Sequence, residues 1–128
     1  MISLIKRLEA LTGPSREVDA EIANATGWES GPWEIAGMRG VTWYASGPEV
    51  YKECPHFTGS IDAARSICSD ALLVYASDIG GDGLPYVELC TSTATPVAVH
   101  EGVGATIEIA FCIAALKARE TGNVQIPD

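Results

Sequence analysis

The chain has 128 residues, 47% of them apolar, with 17 acidic against 8 basic side chains and a formal net charge of −9. That length suits one compact domain with its own core and excludes a two-domain enzyme, while high charge coupled to high apolar content excludes a wholly disordered chain. The carboxylate surplus also argues against a broad phosphate-gripping surface, so duplex nucleic acid is not an expected partner.

Ile2, Ile5, Leu8 and Leu11 recur at nearly helical spacing beside Lys6, Arg7 and Glu9, which predicts a short amphipathic helix stopped by Thr12, Gly13 and Pro14. Ser15 is placed to cap a second helix, with Glu17 and Asp19 in its first turn, Val18, Ile22 and Ala25 on one face, and an end near Gly27. Glu17, Asp19 and Glu21 read as a solvated helix face. From Trp28 to Ser46 the alternation of Trp33, Ile35, Val41, Trp43 and Ala45 predicts two strands turning at Gly37 to Gly40. Gly47 to Gly59, with Gly47, Pro48, Pro55 and Gly59, reads as a long loop. Ser60 then caps a helix burying Ile61, Ala64, Ile67 and Cys68.

Ala71 to Ala76 and Tyr86 to Cys90 are β-rich and separated by Asp78, Gly80, Gly81, Asp82, Gly83 and Pro85, the composition of a second hairpin turn. Pro96 to His100 is expected as an edge strand. The last element starts between Gly102 and Thr106 and runs to about Arg119; it is apolar on nearly every side until Lys117, so neighbours must bury it on more than one flank. Residues 1–121 are expected to form the single domain and 122–128 a frayed tail.

Charges arrive too early at the N-terminus for a signal segment, and the longest apolar run, Ile109 to Leu116, is far short of the ~20 residues a membrane helix needs. A cytoplasmic protein without a membrane partner is expected. Cys54, Cys68, Cys90 and Cys112 form no Cys-x-x-Cys pair and read as reduced thiols. With two histidines in total, His56 and His100, no metal site is expected.

Three segments, RLEALTGPSREVDAEIA at 7–23, HFTGSIDAARS at 56–66 and ATIEIAFCIAALKARE at 105–120, are familiar together. In that order the chain resembles small phage and prophage proteins carrying the phage ABA sandwich domain. The resemblance covers about a third of the chain. It implies a three-layer α/β/α arrangement and a viral or prophage origin, with no established activity for the family at large. It fits the element order αα-ββ-α-ββ-α read from periodicity, an α+β fold whose mainly antiparallel sheet, with strands this apolar, needs cover on both faces. Trp28 to Pro55 and Asp78 to His100 fall outside the resemblance.

Several groups invite a chemical assignment. Gly102, Val103 and Gly104 before a helix imitate the start of a dinucleotide fingerprint, but Ile107 stands where the third glycine belongs; a simpler anion site, or an ordinary helix entrance, remains. Cys54, His56, Ser60 and Asp62 lie close in sequence, yet capping explains Ser60 and Asp62 without a nucleophile and base. Asp78 and Asp82 lack the alternating acids and terminal Glu of a calcium loop. Trp28, Trp33, Trp43, Tyr44, Tyr51 and Phe57 concentrate aromatic faces beside the long loop, where Arg39, Lys52 and Arg65 could neutralise phosphate; the competing role is core or subunit interface.

The expected site is therefore non-catalytic and ligand-binding, made of Trp33, Arg39, Trp43, Tyr44, Phe57, Thr58, Ser60, Arg65, Gly102 and Gly104, with no cofactor. With the viral resemblance it suggests a phage accessory protein that sequesters a small nucleotide-derived immune signal in an infected or lysogenic host, as a homo-oligomer. An oligomeric interaction module contacting a host protein, or a small nucleotide hydrolase working through His56, are the alternatives.

Overall fold

The computed structural model describes residues 2–44, 50–51, 54–68, 71–79, 83–91 and 99–124. In chain order they form helices α1 (Ile2–Ala10) and α2 (Arg16–Ala25), strands β1 (Glu29–Ile35), β2 (Met38–Tyr44) and β3 (Val50–Tyr51), helix α3 (Ile61–Arg65) running into a 3-10 turn at Ser66–Cys68, strands β4 (Ala71–Ser77), β5 (Tyr86–Thr91) and β6 (Val99–Val103), and helix α4 (Ile107–Val124). Two antiparallel sheets result, ordered β1-β2-β3 and β4-β5-β6. The fold is α+β.

Both serine caps form as their spacing predicts: Ser15 Oγ accepts from Val18 N at 3.2 Å and Ser60 Oγ from Ala63 N at 3.3 Å. At the end of α2 the amides of Thr26 and Trp28 return to carbonyls of the last turn, and the helix stops before Gly27. The first hairpin turns one step earlier than expected, at Ala36 and Gly37, with Ile35 opposite Met38. Both turn residues have positive φ, 54° and 81°, the requirement of a two-residue turn matched to strand twist, and Gly40 is left within β2 opposite Trp33. Val50 and Tyr51, inside the expected loop, pair with Tyr44 and Trp43. Residues 45–49, 52–53, 80–82, 92–98 and 125–128, which include parts of the expected loop, second hairpin turn, edge strand and tail, lie outside the described residues. Helix α4 continues through Val124.

The core is built around α4. Residues Ile109 to Leu116 are all buried, because β5 and β6 pack on one flank and α1, α3 and the 3-10 turn on another. That arrangement explains why this helix has almost no polar side: Ile109, Ile113 and Leu116 each contribute about 1.5–3 kcal/mol by complete burial. Leu4, Ile5 and Leu8 of α1, Val18 and Ile22 of α2, Phe57, Ala64 and Ile67 complete the cluster. Arg119 of α4 donates to Ile67 O at 3.1 Å and Thr26 O at 3.2 Å, tying the helix to two neighbours. Gly102 lets β6 lie against α4, since a Cβ there would come 2.0 Å from Ala110 O.

Among the described residues, helices cover one face of β4-β5-β6. Val87, Leu89, His100 and Gly102 point to α4 and are buried, whereas β4 is exposed along its whole middle, Leu72 to Ala76. A second helical layer over the opposite face, as the resemblance implies, is not found among these residues. No helix among them is long and apolar enough to cross a membrane.

Candidate functional site

A recess of about 370 Å³ opens between α3 with its 3-10 extension and the start of β4. Asp62, Arg65, Ser66 and Cys68 form one wall, Ala71, Leu72 and Leu73 the other, and Phe111 of α4 contributes an aromatic surface. The local sequence explains the wall's polarity. Ala64 and Ile67 turn into the core, which sends Asp62, Arg65 and Ser66, three and four positions apart, to the opposite side. No other described residue forms an ion pair or hydrogen bond with the Arg65 guanidinium. The recess thus joins apolar surfaces to one cation, one carboxylate and one hydroxyl, a combination suited to a small molecule with a flat apolar part and an anionic group.

Of the residues proposed from sequence, Arg65 lines this recess; the others serve elsewhere or are not described there. Phe57 and Thr58 are buried, 1% and 0% exposed. Ser60 caps α3. Trp43 and Trp28 are half-buried and pack against the core. Arg39 is exposed on β2, and the side chains of Trp33 and Tyr44 lie outside the described residues. Gly102 and Gly104 sit against α4: a Cβ on Gly104 would approach Ile109 Cγ2 to 2.7 Å, and the Gly104 amide already donates to Pro85 O at 3.2 Å. At the helix start itself Thr106 Oγ1 accepts from Ile109 N at 3.1 Å. Among the described side chains of the ten, the structure therefore brings only Arg65 to this recess.

The Cys54 to Asp62 segment is organised around Asp19 rather than around a nucleophile. Asp19 is 1% exposed, which corrects its expected place on a solvated face. Its Oδ1 accepts from Thr58 N at 2.7 Å and Thr58 Oγ1 at 2.8 Å, while Oδ2 accepts from Arg16 Nη1 at 2.8 Å. Ser15 N donates to Thr58 Oγ1, and Arg16 Nη2 donates to Cys54 O, both at 2.8 Å. This network fastens the loop to α2. Cys112 donates its thiol proton to Phe57 O at 2.9 Å, and burial, reinforced by the charges of Asp19 and Glu108, pushes that thiol well above its ordinary range, away from nucleophilic use. All four cysteines are free.

Two further titratable groups lie on β4-β5-β6. On the face away from α4, Glu88 and Glu101 are direct cross-strand neighbours. Tyr86 Oη donates to Glu88 Oε2 at 2.7 Å, and this bond, with some burial and the nearby Glu101, raises its proton affinity. Tyr75 meets the Tyr86 ring edge-on at 6.1 Å. On the α4 face, His100 is 9% exposed, its Nε2 has no partner among the described residues, and burial, then Lys117, lower its pKa. No group of three or more His, Cys, Asp or Glu among the described residues is placed to hold a metal ion.

Compared with known protein families, curated proteins and solved structures, the chain matches none.

Proposed function

We propose that the chain is a non-catalytic binding protein that holds a small nucleotide-type molecule in the recess between α3 and β4. The observation that carries this reading is an Arg65 guanidinium without a partner among the described residues, on the rim of a recess that also presents Phe111, Leu72 and Leu73. A volume of about 370 Å³ is at the small end for ligand sites, matching a single base and its phosphate better than an extended cofactor. Arg65 would take the phosphate, the exposed Leu72 and Leu73 the flat apolar part, and Asp62 with Ser66 the sugar or base donors. Holding rather than converting suits these walls, because Cys68 has no histidine beside it among the lining residues. With the resemblance to phage and prophage proteins, the ligand would be a nucleotide-derived signal of the bacterial host, withdrawn by sequestration in the cytosol.

Mass spectrometry of small molecules released by heat-denaturing the purified protein, with thermal-shift titration of cyclic dinucleotides and ADP-ribose derivatives, tests this reading. Ligand at saturating excess raises the unfolding midpoint. Arg65→Glu should weaken binding at least tenfold, the loss expected for one charge-assisted hydrogen bond of about 1.5–3 kcal/mol. The absence of both a released molecule and a thermal shift with any candidate would refute it.

A further inference from the structure

His100 lies on the side of β6 that faces α4, and its Nε2 is closed off from solvent with no hydrogen-bond partner among the described residues. A buried polar atom left without a partner is destabilising, and an aliphatic side chain of similar size would avoid that cost. Strand β6 packs against two elements, β5 and α4. On β5, Leu89 stands directly across from His100 and Val87 lies further along the same face; neither carries a charge, and the Glu88 and Glu101 pair is on the other face of the sheet. On α4 the charged group that acts on the imidazole is Lys117, half-buried and without an ion-pair partner among the described residues. Of the other charged groups of α4, Glu108 sits in the first turn, Arg119 is bonded to Ile67 O and Thr26 O, and Glu120 forms no ion pair with Lys117.

Protonation would turn both ring nitrogens into donors and place a positive charge where no described carboxylate shares the sheet face to receive it. Water cannot receive it either while β6 and α4 stay in contact. Two residues along the strand, Gly102 brings the main chain so close to the helix that a Cβ there would come 2.0 Å from Ala110 O. Hydrating the charged ring therefore means moving the strand and the helix apart. Burial first, and Lys117 second, accordingly hold the pKa of His100 below its ordinary value of 6.5.

We propose that the contact between β6 and α4 is a pH-sensitive latch: protonation of His100 in mildly acid solution puts an unpaired cation beside Lys117 and loosens β6 from the helix. Well above pH 6.5 the ring is neutral in the closed and the open chain alike, and the contact has its full strength. As the pH falls, the open form binds the proton more tightly than the closed one, so opening gains; raising the pH again restores the contact. The latch does not rest on a ligand in the recess, which neither His100 nor Lys117 lines.

Hydrogen exchange of the full chain, expressed as protection factors so that the intrinsic pH dependence of exchange cancels, tests the latch. Between about pH 7.5 and about pH 5 the β6 amides should lose about threefold or more of their protection in wild type and keep it in His100→Leu. Lys117→Met should lessen the loss. In an NMR titration of the wild-type chain the His100 ring should titrate below 6.5, and in Lys117→Met that midpoint should move up. Protection of β6 in wild type that ignores pH would overturn the proposal, as would an equal loss in His100→Leu or a ring that titrates at or above 6.5. A loss shared evenly with α1 and α2 would mean general unfolding instead of a latch, again overturning it. Arg65→Glu, which reads ligand binding, should leave the pH response in place, so either proposal can fail alone.

Discussion

Asp19 places a carboxylate, almost without exposure, at the junction of α2 and the loop from Cys54 to Thr58. Removing one partner of such a network costs more than the network's net contribution, because the groups left behind are buried and unsatisfied. Asp19→Ala strands the Thr58 amide and hydroxyl and leaves Arg16 without its carboxylate, so urea unfolding should show a loss of about 3–5 kcal/mol. Thr58→Val keeps the shape but takes the acceptor from Ser15 N, and should cost about 1–3 kcal/mol. The two losses should be less than additive in the double variant, because they share the Thr58 hydroxyl bond to Asp19. No local pattern could reveal this role. Asp19 stands between Glu17 and Glu21 on a surface helix, and the groups that bury it arrive from 39 positions away.

The contact between β6 and α4 sets the spacing of the helix and sheet. Gly102 faces Ala110 and Ala114, and any side chain there meets main-chain atoms that cannot swing aside. Gly102→Ala should therefore destabilise by about 3 kcal/mol or more in denaturant unfolding, the upper range for overpacking, whereas Gly13→Ala, with open space at the Cβ, should change little. Elements with their own signal were legible in the sequence: Ser15 and Ser60 as caps, the α1 stripe, and the all-round apolar α4 with its demand for neighbours on several flanks. Boundaries set by other strands were not. The two-residue β3 exists only because Trp43 and Tyr44 accept it as a partner, and the hairpin turn follows the φ requirement of Ala36 and Gly37 rather than the more glycine-like appearance of 37–40. The apolar β4 also predicts cover on both faces, whereas the described helices lie on one and Leu72 to Ala76 stay exposed.

For the whole molecule, the site was less legible than the fold because a recess is assembled from distant pieces. Arg65 was within reach of sequence reasoning as a cation near an aromatic-rich stretch, but Phe111 looks like one more core residue of α4, and the edge position of Leu72 and Leu73 follows only from strand order. Composition speaks more directly about assembly, through the net charge of −9. Two such bodies with centres on the order of 30 Å apart repel by about 10 kcal/mol in water before screening. The Debye length falls from about 30 Å at 0.01 M salt to about 8 Å at 0.15 M, so most of that repulsion disappears across this range. Any self-association through an uncharged surface should therefore tighten at least tenfold with sodium chloride over this interval, measured by sedimentation at fixed protein concentration. Association that weakens with salt would mean that opposite charges hold the copies together.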